Sequence, residues 1–318
     1  MIVPAERSAL AVEGLTTPGE MFRHVFASMG TQVSLLLPSD RASEATAIED
    51  LFGAWDAACT RFDPGSELSR LNAAGGRSRA VNHLLFEVLW TARQAAEATD
   101  GLFDPTLLRS LEAAGYDRDF TLLVDDPSTE APEGPLPPTG GWRRLELDRE
   151  RMTARMPAGV GLDLGGLAKG MAVDAAIAYL VTRGVNVAAV DAGGDLAVLG
   201  RPPGHDAWPI AVEAPDGTRT VSLAAGALAT SSIARRRWRQ AGAVRHHLID
   251  PRTGAPSTVA LWSVSVAAAT CAQAEVGAKA VFLLGLEAGS RFLAAHGLTG
   301  LFLLPDGSDQ HAGAWASS

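Results

Sequence analysis

Leu162-Asp163-Leu164-Gly165-Gly166-Leu167-Ala168-Lys169-Gly170-Met171-Ala172-Val173-Asp174 (LDLGGLAKGMAVD) is the stretch on which the reading of the fold turns. A carboxylate, two adjacent glycines, a lysine and a third glycine lead into a helical run over Leu167–Arg183, so the segment reads as a strand–helix corner. Outward from it the pattern is mixed. Trp142–Met156 alternates like a hairpin, and Val185–Leu199 reads as strand, turn and strand around Ala192-Gly193-Gly194. Further strand signal lies in Ala211–Ala227 and Val259–Ala268, followed by a long apolar helix over Ala269–Leu284. On the N-terminal side Phe26–Leu37 reads as strand, with Gly30 as a break or bulge. Helical spacing covers Ser43–Ala58 and Asn82–Ala98, the latter closed by Thr99-Asp100-Gly101, with a turn at Phe62-Asp63-Pro64-Gly65 between them. Regular βαβ units are few, which predicts an α+β fold rather than a doubly wound sheet.

The chain has 318 residues, enough for two lobes or one large domain. With 27 basic against 36 acidic residues the net charge is −9, which argues against nucleic acid as a partner. The 47% apolar and 20% charged fractions are those of a globular chain with a full core. Cys59 and Cys271 have no metal-like spacing, so neither a disulfide framework nor a structural zinc is expected. Residues 1–20 read as a flexible leader. Glu6 and Arg7 interrupt what a secretory signal would need as an apolar run, and no stretch has the length for a membrane span. The expectation is a cytoplasmic protein without membrane insertion, its main domain covering 21–318. Five prolines in 125–141 (DDPSTEAPEGPLPPTGG) predict a surface insertion.

Several motifs could carry chemistry. At Asp163–Gly170 the glycines let backbone amides approach a ligand, a helix N-terminus favours phosphate, and Lys169 offers a point charge; a glycine-rich corner is the plainer reading. Val190–Leu196 (VDAGGDL) is a tight hairpin or a ligand loop. In His246-His247-Leu248-Ile249-Asp250-Pro251-Arg252-Thr253-Gly254 two imidazoles adjoin an Asp-Pro turn, and an imidazole can take a proton from a hydroxyl near neutral pH. Asp100–Leu107 (DGLFDPTL) sets Phe103 and Asp104 before Pro105. Arg61–Asn72 (RFDPGSELSRLN) carries a helix cap at Ser66. Ala229–Trp238 (ATSSIARRRW) leads into three arginines, read mainly as a solvated face.

Taken in order, FASMGT, SELSRLN, TDGLFDPTL, DLGGLAKGMAVD, DAGGDL, ATSS, HLIDPRTG and AQAEVGAKAVFLLG resemble the FAD:protein FMN transferase family, the ApbE family, from about Phe26 to Leu284. The resemblance implies an α+β, T-fold-related architecture of mixed sheets and packed helices, with two lobes around a flavin cleft. It implies cleavage of the FAD pyrophosphate and transfer of FMN, through its phosphate, to a threonine of an acceptor flavoprotein, releasing AMP. Carried over by position, Met29, Phe62, Leu102, Phe103, Asp104, Asp163, Gly165, Lys169 and Ile249 would contact FAD. His247 would be the base toward the threonine hydroxyl, and His246 is an extra.

The chain departs from the family at its metal site. An Asp, and a Thr four residues later, usually hold Mg²⁺ together with an oxygen near the DLGG turn. Here Glu275, Lys279 and Gly166 stand at those positions. Glu275 retains oxygen ligands, whereas an ammonium has three donors and no acceptor. Glu275 and Lys279 also form a favourable i,i+4 pair, worth about 0.3–0.5 kcal/mol as a simple helix salt bridge. The reading preferred here gives Lys279 the metal's place, so that its charge partly replaces Mg²⁺ and transfer is weakened or metal-independent. The alternatives are an FAD-binding protein without transfer, or an FAD pyrophosphatase yielding FMN and AMP.

Overall fold

The computed structural model describes residues 21–123, 135–240 and 242–313. The leader (1–20) and the first part of the proline-rich stretch (125–134) lie outside the described residues. The chain divides into two compact units. One comprises Met1–Ala54, Lys169–Ser231 and Ala260–Ser318; the other comprises Trp55–Ala168 and Ser232–Val259. Helices α1 (Glu44–Cys59), α2 (Glu67–Asn72), α3 (His83–Ala98), α4 (Leu108–Ala113), α5 (Ala168–Thr182) and α6 (Cys271–His296) are distributed over both. No helix among the described residues is long and apolar enough to cross a membrane.

The first unit is built on an eight-stranded sheet whose spatial order follows the chain. Its strands are β1 (Met21–Ser28), β2 (Thr31–Pro38), β3 (Ala188–Ala192), β4 (Asp195–Leu199), β5 (Gly226–Ser232), β6 (Ser263–Ala268), β7 (Thr299–Leu303) and β8 (Asp309–Ala312). The pairings β1–β2, β2–β3, β3–β4, β4–β5, β6–β7 and β7–β8 are antiparallel. Alternation along the strands gives the sheet two apolar faces. Leu36, Ala189, Leu196, Val198, Leu228, Leu301 and Leu303 pack against a two-stranded ribbon, Trp208–Ala214 with Gly217–Leu223, through Trp208, Ile210, Val212 and Val221. Burying each large side chain contributes about 1.5–3 kcal/mol, and the Trp208 indole N–H is satisfied by the Gly200 carbonyl at 2.8 Å. Helix α6 covers the other face. A methyl group at Gly277 would meet Val266 Cγ1 at 3.3 Å, and one at Gly289 would meet Phe302 Cε1 at 3.3 Å.

The second unit carries α2, α3 and α4. It also holds a small sheet of Arg79–Ala80, Thr153–Arg155 and Glu146–Asp148, and the hairpin Arg237–Gln240 with Ala243–His246. Helix α3 starts where the Asn82 side chain accepts the Leu85 N–H at 2.8 Å, and it buries Leu85, Phe86, Val88, Leu89, Ala92 and Ala96. A further core gathers Leu107, Leu111, Ala114, Tyr116, Trp238 and Ile249.

The α+β expectation holds, and three local expectations are revised. Phe26–Leu37 is not one interrupted strand but the inner part of a hairpin. Met29 and Gly30 both have positive φ, 52° and 67°, between the paired Ser28 and Thr31, as a tight hairpin turn requires. The hairpin expected over Trp142–Met156 is present as Glu146–Asp148 paired antiparallel with Thr153–Arg155, but it starts later than the alternation does, because Gly141–Arg144 winds into a 3₁₀ turn that buries Trp142. The last helix continues past Leu284 to His296. It is broken at Gly285 (φ 75°), where the apolar run of the sequence stops.

Candidate active site

In the first unit three elements converge on one ammonium group. Lys169 stands in the first turn of α5, Asp195 opens β4 after the Gly193-Gly194 turn, and Glu275 lies in the second turn of α6. The Lys169 ammonium donates to Glu275 Oε1 at 2.7 Å and is ion-paired to Asp195 Oδ2. The other oxygen of Glu275 accepts the Gly170 N–H at 2.9 Å. All three side chains are buried, at 11%, 7% and 7% exposure. Burial pushes the Glu275 carboxyl above its ordinary value, against the pull of Lys169 and with a push from Asp195.

The surrounding backbone explains why these groups meet. A methyl group at Gly170 would lie 2.9 Å from the Cys271 carbonyl and 2.9 Å from the Ala272 nitrogen, so only glycine lets α5 come this close to the start of α6. Asp174, one turn on, accepts the N–H groups of Cys271 at 2.7 Å and Ala272 at 2.9 Å. Thr270 accepts that of Gln273 at 3.2 Å. The donors of the first turn of α6 are therefore taken by protein oxygens. Lys279 follows Glu275 by one turn and is half-buried. Met29 belongs to this unit, in the β1–β2 turn.

In the second unit Asp163 is held by Arg61, whose Nε donates to Oδ2 at 2.6 Å, and by the Gly165 N–H, which donates to Oδ1 at 3.0 Å. Arg61 also donates to the Tyr116 carbonyl at 2.8 Å. The preceding Leu162 is clamped by Asn72, which accepts its N–H and donates to its carbonyl at 2.8 and 2.9 Å. Phe62 is 36% exposed. Its ring lies 5.7 Å from that of Tyr116, whose phenol burial pushes up while Arg236 and Arg61 pull it down. Asp104 is buried and spends its carboxylate within the fold, accepting from Thr106 N at 2.7 Å, Thr106 Oγ1 and Gly140 N at 2.8 Å. Phe103 is buried and Leu102 half-buried beside it.

The His246–Gly254 segment sorts its two imidazoles. His246 donates from Nε2 to the Ser257 carbonyl at 2.9 Å and accepts the Leu248 N–H on Nδ1 at 3.3 Å. Burial lowers its pKa, and the Ser257 carbonyl only partly offsets that. His247 has Nδ1 3.3 Å from the Arg236 carbonyl, which can only accept. That fixes the proton of a neutral His247 on Nδ1 and makes Nε2 the basic nitrogen. Ile249 is buried in the core with Tyr116 and Trp238. Burial alone would raise the Asp250 carboxyl, but Arg252, chelating it at 2.7–3.2 Å, holds it below the usual carboxylate range.

The residues singled out in the sequence thus fall into two sets. Met29, Lys169, Glu275 and Lys279 lie in the first unit; Phe62, Leu102, Phe103, Asp104, Asp163, Gly165, Gly166, His247 and Ile249 lie in the second. Lys169, expected at the flavin, has its ammonium engaged by two carboxylates. Asp195, Arg61, Asn72 and Asp174 carry the supporting contacts and were not among the candidates. All four lie inside the motifs above, but their partners are 26 to 102 residues distant in the chain.

A family model described as the ApbE family matches residues 29–302. The chain is 31% identical over 265 residues to the FAD:protein FMN transferase of Treponema pallidum, covering 76% of this chain and 71% of that protein. It is 32% identical over 311 residues to the FAD:protein FMN transferase of Rhodobacter capsulatus, covering 93% of this chain and a little over half, 57%, of that protein. Among solved structures the ApbE protein of Thermotoga maritima superposes with a TM-score of 0.79 at 27% identity, over 92% of this chain and 97% of that one.

Proposed function

The chain belongs to the ApbE family, and we propose that it is an FAD:protein FMN transferase that moves FMN from FAD to a threonine hydroxyl of an acceptor protein. The threonine Oγ attacks the phosphorus on the riboflavin side of the pyrophosphate. The new O–P bond forms as the P–O bond to AMP breaks, and AMP leaves with the bridging oxygen. Such a step relies on in-line positioning and charge neutralisation more than on covalent chemistry.

The observation that carries the reading is the hydrogen bond from His247 Nδ1 to the Arg236 carbonyl at 3.3 Å. It turns Nε2 into the nitrogen able to take the threonine proton during attack. A surface histidine with no such partner would exchange tautomers and serve less well as a base.

Magnesium does not fit the donors at the position where the family holds it. A divalent cation needs oxygen ligands. Glu275 is buried with the Lys169 ammonium 2.7 Å from one oxygen and the Gly170 N–H on the other, so a cation there would meet a fixed positive charge, while Lys279 has no acceptor to offer. Among the described residues no three His, Cys, Asp or Glu side chains gather as metal ligands. The reading proposed here is that lysine charge stands where the metal's charge would be, so transfer proceeds without added cation.

The test is to incubate the protein with FAD and a threonine-bearing acceptor domain, with EDTA or with Mg²⁺, and weigh the acceptor by mass spectrometry. A gain of one FMN in EDTA is expected. A gain only with Mg²⁺ overturns the metal-free reading, and AMP release without acceptor gain makes the chain a pyrophosphatase. Intact FAD in every arm leaves only binding.

A further inference from the structure

We propose that Arg61 is a positioning residue for the flavin, holding Phe62 and Asp163 as one rigid recognition surface; this rests on the reading of the chain as an FAD-using transferase. The guanidinium carbon lies 4.2 Å from the centroid of the Phe62 ring and 4.5 Å from that of Tyr116, so the cation packs against both rings where they meet, their centroids 5.7 Å apart. In its own plane it donates to Asp163 Oδ2 at 2.6 Å and to the Tyr116 carbonyl at 2.8 Å. Tyr116 is itself fixed. Its ring meets those of Trp238 at 5.4 Å and Phe120 at 6.3 Å, and the Trp238 indole donates to the Ala114 carbonyl at 2.7 Å.

Stability alone is a poor reason for this arrangement. The Arg61 side chain is only 5% exposed, and a buried ion pair is often no better for stability than apolar residues of the same volume. What the guanidinium supplies is geometry. Its planar fork sets the orientation of the carboxylate, and its π face sets the tilt of the rings. Phe62 keeps 36% exposure and Asp163 19% of its side chain. One offers an aromatic face to a flat heteroaromatic ring, and the other an acceptor to N–H or O–H donors. A ring system with attached donors is the ligand class such a pair selects, and holding the pair rigid lowers the ordering cost of binding. Arg61 touches the ligand through these two neighbours, which makes it a positioning residue.

The experiment compares wild type, Arg61→Met, Arg61→Lys, Asp163→Asn and the double variant Arg61→Met/Asp163→Asn. It measures FAD Kd from quenching of flavin fluorescence, KM for FAD and kcat in the transfer assay, and Tm. Arg61→Met is expected to raise Kd and KM for FAD about tenfold or more, with kcat at saturating FAD falling much less and the bound-flavin quenching reduced. Arg61→Lys, with charge but no fork or π face, is expected to remain impaired, and the losses of the two single variants should not multiply in the double variant. Should Arg61→Met fail to fold, Arg61→Lys shows the same split between KM and kcat. A Kd within twofold of wild type in a folded Arg61 variant overturns the role, as does a loss that falls on kcat and Tm with quenching unchanged. A wild type that binds no FAD overturns the transferase reading itself, a result distinguishable from either.

Discussion

Lys169 and Glu275, 106 residues apart in the chain, are joined by a buried ion pair of 2.7 Å, so the lysine of the DLGG motif faces the glutamate carboxylate. Asp195 joins the same ammonium, so one cation is shared by two carboxylates. The parts of this arrangement depend on one another, since removing the ammonium leaves both carboxylates buried beside each other.

Lys169→Met is expected to destabilise the protein by about 3–5 kcal/mol, because it strands two buried carboxylates. Urea unfolding monitored by circular dichroism measures this. A loss under about 1 kcal/mol means that water reaches Asp195 and Glu275 in the variant.

The raised Glu275 pKa gives a signed pH effect. The folded state holds this proton at pH values where the unfolded chain has lost it, so the contribution to stability is greatest at low pH and is lost as pH rises from about 4.5 through the folded value. The difference in Tm between wild type and Glu275→Gln should shift in favour of the variant over that rise. A difference constant from pH 4 to 8 contradicts the assignment.

His246 works in the opposite sense. Its folded pKa is lowered by burial, so the neutral ring contributes stability above about pH 6.5 that is lost as pH falls through the folded value. Replacing it by Gln should flatten the acid side of the melting profile while leaving His247 as the base. Unaltered acid sensitivity in His246→Gln places that sensitivity elsewhere.

His247→Ala should lower transfer about 10²–10⁴-fold, the usual range for loss of a general base, with FAD still bound. Single-turnover acceptor labelling and flavin binding are the two readouts. Full turnover in the variant removes His247 from the proton transfer.

Asp174→Ala leaves the N–H groups of Cys271 and Ala272 without their carboxylate, at a cost of about 1–3 kcal/mol. Hydrogen exchange should rise first at the start of α6, and Asp174→Asn should recover part of the loss. Uniform destabilisation with no change in that turn would count against the clamp.

Much of the fold is legible in the sequence because its signals are local. Asn82 starts α3, and the apolar spacing of Ser43–Ala58 marks α1. The glycines at 193 and 194 mark the β3–β4 turn. The Met29-Gly30 turn is harder to read, because methionine at φ 52° gives no warning in composition. Sheet alternation fails at Trp142, where burial of the indole in a 3₁₀ turn outweighs strand propensity.

By itself the sequence determined the mixed class, most of the helices and the motifs of the ApbE family, since these follow from periodicity, turn chemistry and residue identity over short spans. Only the tertiary structure decided which charges meet. Lys169 pairs with Glu275 and Asp195, Arg61 with Asp163, and Arg236 orients His247 through a backbone carbonyl that no side-chain pattern reveals. An ion pair across 102 or 106 residues requires the chain to close long loops, and packed helices and strands, not local propensity, determine which ends those loops bring together.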